Sequence, residues 1–202
     1  MEVGAGSGNL KETLPGVLAT DIVAVAWLDA VVDAHALPFA DSTVDSLVGI
    51  DVLHHVQYPV RFLAEAERVL KPGGRVVLVE PAITPVSRVV FALGHPEPVD
   101  MRADPLAEGA PDRGKHPMDS NQALPTLLAG RHRAGLERRV PDLRLVCRQH
   151  LSLAAYPLSG GFRPWNLVPP RLVGPLLRLE ERLVPVLGRL MGFRLLLVYE
   201  RT

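Results

Sequence analysis

The 202-residue sequence predicts an α/β fold built around a largely parallel sheet, and three observations carry that prediction. Over residues 1 to about 82, short apolar runs alternate with helix-like stretches, the pattern of successive βαβ units. A glycine-rich turn, "EVGAGSGN", stands where a buried strand should give way to a helix. The apolar runs "VLATD" and "VVDAHALPF" then carry acids, Asp21 and Asp33, at expected strand ends.

Each element follows in order. Only Met1, Glu2 and Val3 precede the glycines, so the first strand is expected to be short. Eleven residues separate Asp21 from Asp33, too few for the usual crossover helix, so "IVAVAWLDAVV" is expected to form a compact turn. "VDSLVGI" (Val44 to Ile50) reads as a strand. A helix is expected from about Pro59 to Leu70, because Phe62, Leu63, Ala66, Val69 and Leu70 share one face at three- and four-residue spacing. Pro59 suits its first turn and Pro72-Gly73-Gly74 its end. The β-branched run from Arg75 to Pro81 suits a strand covered on both faces.

Beyond this point the texture changes. Residues 95 to 125 are rich in Pro, Asp and Gly and predict a long ordered loop or irregular insertion. A helix is expected from about Leu124 to Arg139 and a strand from Leu143 to Leu151. Residues 157 to 192 are apolar and punctuated by prolines, and Arg194 to Glu200 make a last strand. The expected organisation is a single domain over residues 1–202, with βαβ units at residues 1–82, the irregular insertion at residues 95–125 and C-terminal strands at residues 143–202.

Bulk properties narrow the function. With 22 basic and 22 acidic residues the formal charge is zero, so no field of one sign steers the chain onto nucleic acid. The single cysteine, Cys147, supplies neither a disulfide nor a cysteine metal cluster. In its strand-like run it is expected to be a buried, inert thiol, and the setting cytoplasmic. No run of about 18 apolar residues predicts a membrane-crossing helix.

Among the motifs, Gly4, Gly6 and Gly8 form G-x-G-x-G, which lets backbone turn sharply and approach a ligand closely. A nicotinamide-dinucleotide fingerprint needs its third glycine where Asn9 stands, and no Gly-Lys-Ser/Thr follows for a phosphate loop. An acid at the end of a second strand, as Asp21 is, can accept two hydrogen bonds from a ribose diol.

"EVGAGSG", "DAHALPFADSTVDSLVGIDVLHHV" and "FLAEAERVLKPGGRVVLVEP" together resemble the class I S-adenosylmethionine-dependent methyltransferases, closest to the small-molecule and lipid methyltransferases. The resemblance covers residues 2 to about 82. It implies a Rossmann-like sheet of seven strands, mostly parallel with the last antiparallel; family members usually have the rest of the first strand and a preceding helix before the glycine loop, so both are expected to be truncated here. It also implies S-adenosylmethionine across the carboxyl ends of the strands. Glu2 and the backbone of Gly4, Ala5, Gly6 and Gly8 would hold the methionine portion. Asp21, with Ile22 beside it, would take the ribose, and Asp33 with Ala34 the adenine. Asp51 would lie near the methionine end, mainly through backbone groups. Trp27 would either cover the cofactor or plug the gap of the missing helix.

For an acceptor that needs deprotonation, His54 and His55 are the nearest general-base candidates. As metal ligands they are disfavoured, since adjacent residues diverge on a helix and no third ligand is evident; no metal is expected. His95, Glu97, Asp100, His116, Asp119, Asn121 and Gln122 are candidates for acceptor contact if the middle segment folds over the pocket. The stretch "RLVGPLLRLEERLVPVLGRLMGF" reads as a core-facing helix interrupted at Pro185, with a membrane-surface helix or a lid as the alternative. The reading is methyl transfer to a small or lipid-linked acceptor, compatible with peripheral membrane contact. A catalytically silent binding or scaffold protein on the same fold is the alternative.

Overall fold

The computed structural model describes residues 1–112, 114–161 and 165–202. Its seven strands are β1 (Glu2–Val3), β2 (Ala19–Asp21), β3 (Ala30–Val31), β4 (Val44–Ile50), β5 (Leu70–Pro81), β6 (Leu143–Leu151) and β7 (Arg194–Arg201). They form one sheet in the order β3-β2-β1-β4-β5-β7-β6. Neighbours from β3 to β5 pair parallel, and β7 pairs antiparallel with both β5 and β6. The expected α/β, Rossmann-like architecture is therefore present. The strand order reverses direction on either side of β1 and β4, which opens a crevice at their carboxyl ends.

The short β1 is central despite its two residues. Glu2 aligns with Ala19 on one side and Val48 on the other. Helix α1 (Asn9–Thr13) leads to β2, and an eight-residue turn from Ile22 to Asp29 leads on to β3. As expected, that crossover holds no helix. Asp29 pins it by accepting hydrogen bonds from the Ala19 amide at 2.8 Å and Lys11 Nζ at 2.6 Å.

Helix α2 (Pro59–Val69) buries Phe62, Leu63, Ala66 and Val69 on the sheet, as their spacing requires. Pro72-Gly73-Gly74 does not close it; the helix ends at Val69 and strand β5 begins at Leu70. The Pro-Gly-Gly run is a bulge in that strand, where pairing jumps from Val44↔Leu70 to Ser46↔Arg75. Helix α3 (Pro85–Gly94) begins in a capping box between Thr84 and Ser87.

Two further expectations are corrected. The helix expected from Leu124 to Arg139 is two, α4 (Leu124–Leu128) and α5 (Arg133–Arg139), parted by a turn at Gly130, the poorest helix former there apart from proline. Cys147 is half-buried rather than buried, because β6 is an edge strand.

The larger correction concerns the C-terminal insertion. After the short α6 (Ala155–Leu158), helix α7 runs unbroken from Pro170 to Met191 through both Pro175 and Pro185. It does not face the core: only Glu180 and Gly188 are buried. Gly188 sits on His150, where an added Cβ would come 2.8 Å from that side chain. The Glu180 carboxylate accepts hydrogen bonds from the Ala154 and Ala155 amides and so caps α6. Backbone proximity and one buried acid dock this helix, and most of its leucines are left outside.

Candidate functional site

The glycine loop leaves β1 with Gly4, Gly6 and Gly8 all at positive φ, 69°, 48° and 80°. These are left-handed conformations that side chains resist. A Cβ on Gly4 would collide with Val52, and one on Gly8 would stand 3.1–3.3 Å from the Trp27 ring. The loop is tied to β2 at two points. The Ala5 amide donates to the Thr20 carbonyl at 3.0 Å, and the Gly6 amide donates to Asp21 Oδ2 at 2.9 Å. Asp21 Oδ1 accepts from the Val23 amide at 2.9 Å. Asp21 thus serves the loop and its own turn.

In front of the loop lies a cavity of about 1000 Å³. Glu2, Gly4, Ala5 and Gly6 line one side of it, with Asp51, His54 and His55 from the end of β4. Val90, Phe91, Tyr156, Pro157, Trp165 and Phe193 supply an apolar wall. Glu2 is 3% exposed, its Oε2 has no hydrogen-bond partner, and burial raises its pKa above the ordinary carboxylate value. Such a carboxylate is a receptor for a cationic group of a ligand.

The other expected cofactor residues lie outside this cavity. Gly8 packs under Trp27, and that ring also lies outside the lining. Asp33 Oδ1 accepts from the His35 amide at 2.8 Å and lies 2.8 Å from His35 Nδ1. Ala34 is half-buried and Ile22 exposed. Asp21, Ile22, Asp33 and Ala34 therefore sit along an open surface at the β2 and β3 ends, beside the cavity that Glu2 lines.

Asp51, at φ 55°, meets Arg194 of β7 through both carboxylate oxygens; Oδ2 accepts from Nη2 at 2.9 Å. The Arg194 guanidinium also stands 5.4 Å from the Tyr156 ring centroid. Arg194, Tyr156 and Phe193 are site residues that the sequence reading missed, and no local motif marks them.

The polar end of the cavity is built around a 3₁₀ turn at Leu53–His55. Glu80, fully buried in β5, accepts from the Val52 and Leu53 amides at 3.0 and 2.7 Å, and its Oε2 lies 2.7 Å from His54 Nδ1. Opposite, Glu97 Oε2 lies 3.3 Å from His54 Nε2, and Oε1 lies 4.0 Å from His55 Nε2. Burial pushes the His54 imidazolium down, but the Glu80 and Glu97 carboxylates outweigh it and raise its pKa to about 9. Burial likewise pushes Glu97 up, yet the facing imidazoles bring it down to about 2. His55 is held below its ordinary value, by burial first and then by the charge of His54. The two candidate bases are thus unlike: His54 is a cation at neutral pH and His55 is neutral.

The middle segment contributes unevenly. His95, Glu97 and Met118 line the cavity, whereas Asp100, His116, Asp119, Asn121 and Gln122 do not. Asn121 anchors the segment, its amide donating to the His54 carbonyl at 2.9 Å. Glu97 answers the missing third ligand: the ligand atoms of His54, His55 and Glu97 lie within 4.8 Å of one another. Glu80 was legible as the one acid in the run "RVVLVEP", a signal the sequence reading passed over.

Residues 1–78 match the family model described as a methyltransferase domain. An uncharacterized 37.1 kDa protein in transposon TN4556 of Streptomyces fradiae is 51% identical over 49 residues, 24% of this chain and 14% of that protein. A demethylmenaquinone methyltransferase of Renibacterium salmoninarum is 48% identical over 48 residues, 24% of this chain and 20% of that one. The matched stretches therefore span a fifth or less of these relatives. Among solved structures, a SAM-dependent methyltransferase from Archaeoglobus fulgidus superposes with TM-score 0.54 at 14% identity, over 99% of this chain and 84% of that one. A geranyl diphosphate C-methyltransferase from Streptomyces coelicolor A3(2), in complex with Mg2+, geranyl diphosphate and S-adenosyl-L-homocysteine, gives 0.52 at 13% identity, over 100% and 71%. At these identities the structures speak for the fold alone.

Proposed function

We propose that this chain, whose residues 1–78 match the methyltransferase-domain family model, is a class I S-adenosylmethionine-dependent methyltransferase acting on a small or lipid-linked acceptor. The observation that carries the reading is Glu2: a buried carboxylate with an unpartnered oxygen, beside a loop of three positive-φ glycines, facing a cavity of about 1000 Å³. Those features fit a cofactor that ends in an amino acid. A carboxylate left without a partner suits an ammonium, and backbone stripped of Cβ atoms suits close approach.

S-adenosylmethionine, when bound, supplies an electrophilic methyl group on a sulfonium. The chain supplies binding, orientation and exclusion of water. Glu2 would hold the amino group, and the loop backbone from Gly4 to Gly6 the neighbouring carboxylate end. Asp21 keeps the loop in place through Gly6, and with Asp33 it marks the nucleoside side. Asp51, locked to Arg194, shapes the floor between them and the acceptor. The acceptor's reacting atom would lie at the polar end, where His55 is the neutral imidazole able to hydrogen-bond to it or take its proton.

The finer choice, a lipid-linked acceptor, is supported by the cavity rim and by α7. Val90, Met118 and Trp165 line the cavity and are themselves exposed. Along α7, Leu172, Leu179, Leu183, Val186 and Leu190 recur at helical spacing and all face outward, Val186 at 79% exposure. Arg171, Arg178, Arg182 and Arg189 form the adjacent stripe, so the helix has the pattern of one that lies on an anionic membrane surface. The demethylmenaquinone methyltransferase among the partial relatives supports the same choice. No helix among the described residues is long and apolar enough to cross a membrane.

The test is calorimetric titration of the folded chain with S-adenosylhomocysteine. Binding with a Kd on the order of micromolar supports the reading. A folded chain that does not bind would overturn it in favour of a silent fold.

A further inference from the structure

We propose that His54 Nε2, His55 Nε2 and the Glu97 carboxylate form a binding site for a divalent d-block cation at the polar end of the cavity.

Two imidazoles and one carboxylate are the donor set that Zn2+, Co2+ and Fe2+ favour. Bonds of about 2.1 Å in a tetrahedral site put ligand atoms about 3.4 Å apart. His54 Nε2 stands 3.3 Å from Glu97 Oε2, His55 Nε2 stands 4.0 Å from Oε1, and all three ligand atoms fall within 4.8 Å of one another. The Glu97 carboxylate is partly exposed and also accepts a hydrogen bond from Gln122 Nε2 at 3.3 Å, so closing the set requires its rotation and a shift of that contact.

The surroundings have the form that metal-binding histidines require. Glu80 Oε2 sits 2.7 Å from His54 Nδ1 and so directs Nε2 toward Glu97 and the cavity, where a bound cation would displace the Nε2 proton of the imidazolium into solvent. The Glu80 carboxylate is itself fixed by two backbone amides on its other oxygen. The two imidazoles, with ring centroids 4.2 Å apart and planes tilted by 41°, turn toward one carboxylate although they are adjacent in sequence, because a 3₁₀ turn carries them. A neighbouring set, Asp51, His54 and Glu80, also falls within reach. Its carboxylates are already committed, Asp51 to Arg194 and Glu80 to two amides and His54, so it is the poorer site.

Three protein ligands leave at least one coordination position, and all three residues line the cavity, so that position faces the acceptor. An acceptor oxygen placed there would be polarised by the cation, and its proton would leave to water while the His55 lone pair stays on the metal. The site goes beyond methyl transfer, which needs no metal, and its claim rests on three side chains rather than on the cofactor.

The experiment is titration of chelator-treated protein with Co2+, followed by calorimetry and by the visible absorption of the bound ion, with and without S-adenosylhomocysteine. One equivalent should bind, with imidazole-type absorption of low coordination number. Glu97→Gln and His55→Ala should each weaken binding at least about tenfold while leaving the thermal transition in place, and Asp119→Ala should not. A folded wild type that takes up no stoichiometric Co2+ overturns the site, as does binding that survives both substitutions. Cobalt binding without S-adenosylhomocysteine binding would instead count against the cofactor reading alone.

Discussion

Asp21 Oδ2 accepts a hydrogen bond from the Gly6 amide at 2.9 Å, joining the end of β2 to the middle of the glycine loop fifteen residues earlier. The same carboxylate holds the Val23 amide. One acid therefore fixes both the loop and the turn that begins the crossover, before any ligand arrives. Asp21→Ala should weaken S-adenosylhomocysteine binding by about tenfold or more, the scale of one lost charge-assisted hydrogen bond. Asp21→Asn keeps one carbonyl acceptor and should lie between. Calorimetric titration of the three proteins ranks them; equal affinities would remove Asp21 from the site.

Glu2 should show the opposite signs for stability and binding. Burial raises its pKa in the folded chain, so its contribution to stability is present below the ordinary Glu value and is lost as pH rises through the raised one. At neutral pH the ionised group is a burden on the unliganded fold. Glu2→Gln should therefore leave the apo chain as stable or up to about 1 kcal/mol more stable. It should also weaken S-adenosylhomocysteine binding about tenfold through loss of the ion pair. Urea unfolding at pH 7 beside ligand titration checks both signs.

Gly49 lies in β4 where an added Cβ would come 2.5 Å from Val52 Cγ1 and 2.9 Å from Leu78 Cδ2. Gly49→Ala should cost about 1–3 kcal/mol by overpacking. Val52→Ala in the same chain should recover part of it. The same second substitution should help Gly4→Ala less, because Gly4 also needs its positive φ of 69°. Chemical denaturation of the two pairs reads the difference.

Arg194 and Asp51 form a mostly buried pair that links β7 to the end of β4. Arg194→Met should destabilise by about 3 kcal/mol, since it strands the Asp51 charge. Adding Asp51→Asn should restore a large part of that loss. A double-mutant cycle by thermal unfolding measures the coupling, and additive effects would mean the pair is not coupled.

The outward stripe of α7 predicts lipid-composition dependence. The chain should sediment with vesicles rich in phosphatidylglycerol and not with pure phosphatidylcholine. Arg178→Glu with Arg182→Glu should abolish the difference, and Leu179→Ser with Val186→Ser should weaken it. Equal recovery from both vesicle types would remove the membrane from the account.

What the sequence determined by itself was local. The alternation of Gly4, Gly6 and Gly8, the acids closing short apolar runs and the face of α2 follow from backbone freedom and helical period, which a few adjacent residues encode. The missing crossover helix was legible as well, since eleven residues cannot hold one. Tertiary structure alone decided which distant groups met. Arg194 reaches Asp51 across 143 positions because β7 inserts antiparallel beside β5. Glu80 reaches His54 across 26 because adjacent parallel strands end together. Glu97 closes the same cluster from a segment with no period at all. The outward face of α7 was undecided for the same reason: an amphipathic pattern states that a helix has two faces, and only the packing of Gly188 on His150 and of Glu180 on α6 chose which one meets the protein.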